Sequence, residues 1–201
     1  MEVTDVPDQT AELADASARS RFNQVIAITV AVVAVFMALC NVKDGNIVQG
    51  MQQAQADELD HWNQYQAKSI KQHLYQVQIE QWELEGQLGA QWLSPAACAR
   101  LDAKLAEWKS EIARYDQEKQ DLKRQAEDSR KQYDELNFHD DQFDLSEALL
   151  GLAITLFAVS SLLRHRALYG VGVLFAIGGF VMGLAGFCGW GIHPSLIKFL
   201  T

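Results

Sequence analysis

The stretch FNQVIAITVAVVAVFMALCNV, residues 22–42, contains no charged side chain. Two more uncharged stretches follow, at residues 148–163 and 167–197. A helix needs roughly 20 apolar residues to cross the hydrocarbon core of a bilayer. Between the first two stretches, residues 43–144 hold 20 of the 26 acidic and 12 of the 17 basic residues of the 201-residue chain. Three apolar blocks and one polar block predict an all-α membrane protein with a solvent-exposed insertion.

The first block is rich in β-branched residues, which elsewhere favour a strand. A lone strand cannot satisfy its backbone hydrogen bonds in lipid, so a helix is expected. Asp144 and Glu147 precede the second block at the spacing of a capping box. The sequence therefore predicts an acidic flexible N-terminal tail at 1–21, transmembrane helices at 22–42, 144–163 and 167–191, an extramembrane helical hairpin at 43–143 and a short C-terminal tail at 192–201.

A cleaved signal peptide is the alternative for the first block. Arg19 and Arg21 precede it, and Ala38-Leu39-Cys40 resembles a cleavage site. The apolar run is long for a signal peptide, however, and an acidic tail precedes the arginines. We therefore expect this block to remain as a transmembrane helix.

Basic residues beside the blocks indicate the orientation. Arg19 and Arg21 precede the first block, and Arg164 and Arg166 lie in the turn between the second and third blocks. Three spans place both clusters on one side, and basic residues favour the cytoplasmic side. We expect a cytoplasmic N-terminus and residues 43–143 outside the cytoplasm.

Small residues recur at helical spacing in each predicted span. They are Ala27, Ala31, Ala34 and Ala38 in the first, Ala148, Gly151, Thr155 and Ala158 in the second, and Gly172, Ala176, Gly179, Gly183 and Gly186 in the third. Small residues along one face allow helix backbones to approach closely in lipid. They predict a tight helix bundle, within one chain or between copies in a homo-oligomer.

The polar block carries a heptad pattern. Its apolar positions lie three, four or seven residues apart, at Leu101, Leu105, Trp108, Ile112, Tyr115, Leu122, Ala126, Tyr133 and Leu136. This pattern is typical of a coiled coil. Ser94 and Pro95 form a helix start signal, so we expect a turn near 93–95 between arms at 47–92 and 95–138. The block predicts a long antiparallel coiled-coil hairpin between spans one and two.

The first arm has two apolar stripes. One contains Ala67, Ile70, Leu74, Val77, Leu84 and Leu88, and the other contains Tyr75, Ile79 and Trp82. A helix with two apolar faces usually has two neighbours. We expect one stripe to contact the return helix and the other to contact a second copy.

Residues 60–76, DHWNQYQAKSIKQHLYQ, are the main candidate for a site. Asp57 and His61 are spaced for one helix face, but no third metal ligand follows. Lys68 is a nucleophile only if burial lowers its pKa, and the helix is polar there. We therefore expect aromatic and cationic packing at an oligomeric stalk, with no catalytic residue, no cofactor and no metal.

Further candidates favour ordinary structural roles. HDDQFD, residues 139–144, offers three carboxylates without calcium-loop spacing, so a solvated acidic loop is expected. Cys98 either bridges two chains or is a buried apolar residue; Cys40 and Cys188 lie in or beside apolar blocks. The net charge of −9 argues against a nucleic-acid partner.

The residues Trp62-x-x-Tyr65-Gln66-Ala67-Lys68-Ser69 resemble the signature of a family of bacterial integral membrane proteins catalogued as a domain of unknown function. Members of that family place one span before the motif, then a charged helical stretch and two spans. The resemblance implies a shared role for Trp62, Tyr65, Lys68 and Ser69. It also implies a location in the bacterial inner membrane.

These patterns together predict a non-enzymatic membrane scaffold or interaction protein that self-associates and presents its coiled-coil finger to a protein partner. One alternative is a subunit of an oligomeric channel or transport complex, although the spans carry no charge except Glu147 at an edge. The other alternative is a membrane enzyme, for which the sequence offers no catalytic constellation.

Overall fold

The computed structural model describes the backbone of residues 5–89 and 94–192, and the side chains of residues 21–87 and 94–192. Residues 1–4, 90–93 and 193–201 lie outside the described residues, and with them Leu93 of the predicted turn near 93–95 and nearly all of the C-terminal tail. The side chains of residues 5–20, 88 and 89 also lie outside them.

Three helices make up the described chain, which contains no strand. Helix α1 spans Asp5–Gly89, α2 spans Pro95–Leu163 and α3 spans Arg166–Cys188. The all-α prediction is confirmed, and each helix contains a segment long and apolar enough to cross a membrane. The loop expected at 139–144 is wrong, because these residues lie inside α2.

Local signals set the helix ends. At the start of α2, Ser94 Oγ accepts a hydrogen bond from the backbone N–H of Ala97 at 3.3 Å, and Pro95 occupies the first helical position. After α2, Arg164 adopts a left-handed φ of 57°, and His165 N–H donates back to the Ser160 carbonyl at 3.3 Å. This tight turn leads directly into α3.

The chain divides into two compact units. The apolar unit comprises Met1–Gln49 and Glu135–Thr201, and the charged unit comprises Gly50–Asp134. The core of the apolar unit contains Ile26, Val33, Leu150, Ala153, Phe157 and Ala176. Large aliphatic side chains such as Ile28 and Leu174 point outward from this unit and are 66% and 69% exposed.

Charged groups mark the two ends of the apolar unit. At one end, the Arg166 guanidinium lies 5.8 Å from the centre of the Phe22 ring. At the other end, the carboxyl of Asp44 of α1 lies close enough to that of Asp140 of α2 to raise its pKa. The charged residues between these ends stay near them: Lys43, Asp141, Asp144 and Glu147 lie near the acidic end and Arg164 near the basic end, and the helix segments in between are uncharged.

In the charged unit, side chains of α1 contact side chains of α2 in antiparallel order. Gln72 Nε2 donates to Asp116 Oδ1 at 2.8 Å, and Lys109 Nζ donates to Glu83 Oε1 at 2.9 Å. The heptad positions of α2 in this unit lie on the contact side: Tyr115, Leu122 and Ala126 are buried, and the other five positions between Leu101 and Tyr133 are half-buried. Apolar burial along this seam is the main term that holds the two helices together.

Candidate functional site

The signature stretch lies in the charged unit and forms a reciprocal clasp, which we define as Tyr65 and Lys68 of α1 with Tyr115, Glu118 and Lys119 of α2. Lys68 Nζ lies 5.8 Å from the centre of the Tyr115 ring, and Lys119 Nζ lies 5.6 Å from the centre of the Tyr65 ring. Each helix thus supplies one cation and one aromatic face. The clasp fixes the register of α1 against α2.

The clasp also holds Lys68 in an ion pair. Lys68 Nζ donates a hydrogen bond to Glu118, and this bond lowers the pKa of the Glu118 carboxyl. A nucleophilic lysine must lose its proton, which an adjacent carboxylate opposes. The geometry therefore suits packing and electrostatic pairing better than covalent catalysis.

The other signature residues flank the clasp. The Trp62 ring packs edge-on against Tyr65, with centroids 5.6 Å apart. Trp62 also lines an open groove of about 380 Å³ with Glu58, Ala126, Glu127, Arg130 and Lys131. Ser69 is half-buried. The structure thus brings Trp62, Tyr65 and Lys68 together against α2.

The pair considered for a metal has separate surroundings. Asp57 Oδ1 accepts a hydrogen bond from Gln53 at 2.8 Å. His61 Nδ1 is buried and has no hydrogen-bond partner among the described residues. Within the described part of the chain, no three His, Cys, Asp or Glu side chains converge as metal ligands.

The two stripes of the first arm have different environments. Tyr75 stacks near Tyr115 with centroids 6.1 Å apart, Ile79 is buried, and Trp82 lies 6.4 Å from Trp108 between ring centroids. This stripe therefore contacts the return helix. The other stripe is exposed to solvent wherever its side chains are described, at Ala67, Ile70, Leu74, Val77 and Leu84.

Open grooves flank Trp82. One, of about 340 Å³, is lined by Trp82, Ala97, Arg100, Leu101, Lys104 and Trp108. The other, of about 410 Å³, includes Cys98. Cys98 is half-buried and has a free thiol, so both readings of this cysteine remain predictions.

An acidic cluster lies at one end of the apolar unit, where α1 meets α2. Partial burial, together with the charge of Asp44, a hydrogen bond to Asp44 and the charges of Asp144 and Asp141, raises the pKa of Asp140 to about 7. One oxygen of Asp44 is buried without a hydrogen-bond partner among the described residues.

We expect Asp140→Asn to stabilise the protein at pH 8 and to have little effect at pH 4. The folded pKa of about 7 lies above the ordinary value of 3.8, so the folded state binds the proton more tightly and stability falls as pH rises between these values. Asn retains a donor and removes the charge. After allowance for solvent screening, the gain at pH 8 is about 1–2 kcal/mol.

Melting temperatures at both pH values, with exposed Asp60→Asn as the control, test this expectation. An unchanged pH dependence in Asp140→Asn would contradict it.

The predicted small-residue faces occupy different environments in the apolar unit. The small residues of the α3 face are all buried: Gly172, Ala176, Gly179, Gly183 and Gly186. The small residues of the α1 face are all exposed: Ala27, Ala31, Ala34 and Ala38. On α2, Gly151 is half-buried, while Ala148, Thr155 and Ala158 are exposed. Only the α3 face thus contacts neighbouring helices in a single chain.

Sequence reasoning did not single out the buried polar residues of α2, and two of them, Gln142 and Ser146, connect α2 to other parts of the chain. Gln142 Nε2 donates to the carbonyls of Trp190 and Ile192 at 2.8 and 2.9 Å. Ser146 Oγ donates to the Gly179 carbonyl at 2.8 Å. Their four-residue spacing, which places both on one helix face, was the available signal. These bonds connect α2 to α3 and to the chain that follows it.

Comparison with known proteins gives a family assignment without an activity. No curated protein and no solved structure matches the chain. One family model matches residues 22–189, which include the reciprocal clasp and the described parts of all three helices beyond the N-terminal tail. The chain belongs to this family, which is described as a domain of unknown function (DUF4337).

Proposed function

We propose that the chain is a non-enzymatic, multi-pass membrane scaffold of the bacterial inner membrane. The observation that carries the proposal is the distribution of charge in the apolar unit, where Arg166 marks one end and Asp44 and Asp140 mark the other. Long uncharged helix segments connect these ends. A bilayer matches this arrangement, because its hydrocarbon core accepts uncharged helices and its interfaces accept charges.

Packing in the apolar unit supports the same proposal. Glycine, serine and glutamine lie inside together with apolar core residues, while many other large aliphatic side chains, such as Ile28, Val35 and Leu162, point outward. Lipid provides no hydrophobic drive to bury large side chains, so small residues at helix contacts suit a membrane bundle. The outward aliphatic side chains would contact lipid.

The proposed orientation follows the basic residues. Arg164 and Arg166 occupy the α2–α3 turn, and Arg21 precedes the apolar segment of α1. Placing these residues in the cytoplasm leaves the charged unit in the periplasm or outside the cell. There the charged unit would act as an antiparallel coiled-coil finger for self-association and for a protein partner.

A scaffold role is supported by the use of the signature residues. Lys68, the strongest candidate nucleophile, is held in an ion pair, and Tyr65 contacts a lysine of α2. These contacts set the register of two helices, which is what a presenting finger requires. Trp62 lies beside an open groove and is the signature residue best placed to touch a partner.

Reporter fusions test the membrane assignment and its orientation. Alkaline phosphatase fused after Ser94 is expected to be active, because the enzyme folds only outside the cytoplasm. The same reporter fused after His165 is expected to be inactive. The reverse pattern would overturn the orientation, and two inactive fusions of full length and normal abundance would overturn the membrane-spanning proposal.

A further inference from the structure

The first arm of the charged unit has an exposed apolar stripe that the return helix does not cover. Ile70, Leu74, Val77 and Leu84 are between 47% and 63% exposed. They follow one another at spacings of four, three and seven residues, with exposed Gln81 at the intervening position. This is the pattern of a coiled-coil contact face. It lies about 150° around α1 from the face that contacts α2.

A second uncharged stripe lies on α2 and contains only small or amide side chains. Its members are Ala99, Ala103, Ala106, Ser110, Ala113, Gln117 and Gln120, all exposed and spaced alternately by four and three residues. The helix is otherwise rich in charge, so an uncharged row of this length needs an explanation. This stripe also lies about 150° from the contact between α1 and α2.

We propose that the α1 stripe of one chain packs antiparallel against the α2 stripe of a second copy. The large side chains of α1 would lie over the small ones of α2, as when knobs fill holes. The best register places Leu74 opposite Ala113, Val77 opposite Ser110 and Leu84 opposite Ala103 of the second copy. This contact would be the surface through which the proposed self-association occurs. It rests on the proposed membrane function, because a shared membrane gives the copies a common orientation.

Charge complementarity selects this register. It places Glu80 beside Lys109 of the second copy and Glu85 beside Arg100 of the second copy. It also places the imidazole of His73, which can donate a hydrogen bond, beside Asp116 of the second copy. All six side chains are exposed, and Lys109 and Asp116 also bond within their own chain, to Glu83 and Gln72. Opposite charges beside a coiled-coil seam favour the pairing.

The one unfavourable neighbour in this register is compensated. Lys71 lies beside Arg114 of the second copy, and Arg114 already forms ion pairs with Glu111 and Glu118 of its own chain. Sliding the second copy by seven residues is worse, because Glu80 then meets Asp116 and Glu85 meets Glu107 of that copy. Like charges at these positions oppose the shifted register.

Pairing of two α1 stripes is disfavoured when both copies stand in one membrane. The two α1 helices are then parallel, and Glu80 of each chain meets Glu85 of the other. In the proposed contact, α1 meets an antiparallel α2, as it does within one chain. The charged units of both copies can therefore extend in the same direction from one membrane.

The contact is head-to-tail, because the two stripes lie on different helices and face away from each other. One contact leaves the α2 stripe of the first chain and the α1 stripe of the second uncovered. Repetition of a head-to-tail contact gives a ring or an open row. A chain that carries both halves of the contact should therefore form oligomers larger than a dimer.

Disulfide trapping in the full-length protein tests the contact. Cys98→Ser and Cys188→Ser remove the accessible thiols, and buried Cys40 is retained. Two co-expressed chains, one with Val77→Cys and one with Ser110→Cys, are oxidised in isolated membranes. We expect at least about fivefold more of this cross-link than of the control pair Val77→Cys with Gln117→Cys, a ratio that corresponds to about 1 kcal/mol.

A chain that carries both Val77→Cys and Ser110→Cys should give a ladder of covalent oligomers. Equal trapping of the control pair, absence of the cross-link, or preferential dimers of Val77→Cys alone would each overturn the proposal. Glu85→Arg in the Val77→Cys chain should reduce the cross-link, and Arg100→Glu in the Ser110→Cys chain should restore it. Failure of the second change to restore it would overturn the register.

The same samples separate this inference from the proposed membrane function. Each is washed with alkaline carbonate, which releases peripheral proteins and retains integral ones. A retained protein without the cross-link would overturn the interface alone. A released protein with the cross-link would overturn the membrane assignment and support the interface.

Discussion

Gly179→Ala is expected to lower the melting temperature of the detergent-solubilised protein by about 5 °C. A Cβ at this position would lie 2.6 Å from Leu150 Cγ and 3.1 Å from the backbone oxygen of Ser146. Overpacking of this kind costs about 1–3 kcal/mol, and the higher helix propensity of alanine offsets about 1 kcal/mol. The backbone oxygen cannot move without shifting α2, so we expect a net loss of about 2 kcal/mol.

Gly178→Ala is the matched control for this variant. It is the neighbouring glycine of the same helix, but a Cβ there would meet only Leu149 Cδ1, at 3.4 Å. We expect its melting temperature to equal or slightly exceed that of the unmodified protein. If both variants had the same melting temperature, and it were lower than that of the unmodified protein, helix propensity and close packing would not explain the role of Gly179.

Leu122→Asp is expected to unfold the charged unit or to destabilise it by about 4 kcal/mol. Leu122 is only 7% exposed at the seam between α1 and α2. The substitution removes a buried aliphatic side chain and places a carboxylate in an apolar setting, and both changes cost free energy. Loss of helical circular dichroism on heating, and faster proteolysis within Gly50–Asp134, would measure the effect.

Leu59→Asp introduces the same chemical change on the outer surface of α1. Leu59 is 59% exposed and lies outside the stripe proposed to contact a second copy. We expect a change of no more than about 0.5 kcal/mol. Similar destabilisation by both substitutions would contradict the assignment of the inner and outer faces of the charged unit.

The helical nature of the described chain could be predicted from the sequence, because hydrophobic periodicity reports directly on helices. The heptad of α2 specified which of its side chains would be inward, and Tyr115, Leu122 and Ala126 are buried. The glycine spacing of α3 likewise marked the face that contacts its neighbours. In both helices, one face differs in side-chain size or polarity from the others.

The choice between the two stripes of α1 could not be predicted. Ile70, Leu74 and Val77 look more hydrophobic than the stripe with Tyr75 and Trp82, yet the aromatic stripe contacts α2. Ring contacts with Trp108 and Tyr115 favour the aromatic face. Which stripe pairs depends on the side chains of both helices, and the periodicity of one helix does not indicate it.

The loop predicted at 139–144 is wrong for a different reason. Its polar residues favour a loop when read in sequence order, but in a helix they separate into two faces. Gln142 and Phe143 face inward and are fully buried, while Asp144 is exposed. The proximity of Asp44 and Asp140 could not be predicted either, since nearly a hundred residues separate them in the chain.

The reciprocal clasp has a consequence for the behaviour of the charged unit in salt. Isolated ion pairs on its surface, such as Lys131 with Asp128, weaken as counterions accumulate. Lysine–tyrosine contacts retain the apolar area of the ring when their electrostatic attraction is reduced, and salting-out ions strengthen burial of that area. The alignment of α1 with α2 should therefore persist at ionic strengths that abolish most of the outer ion pairs.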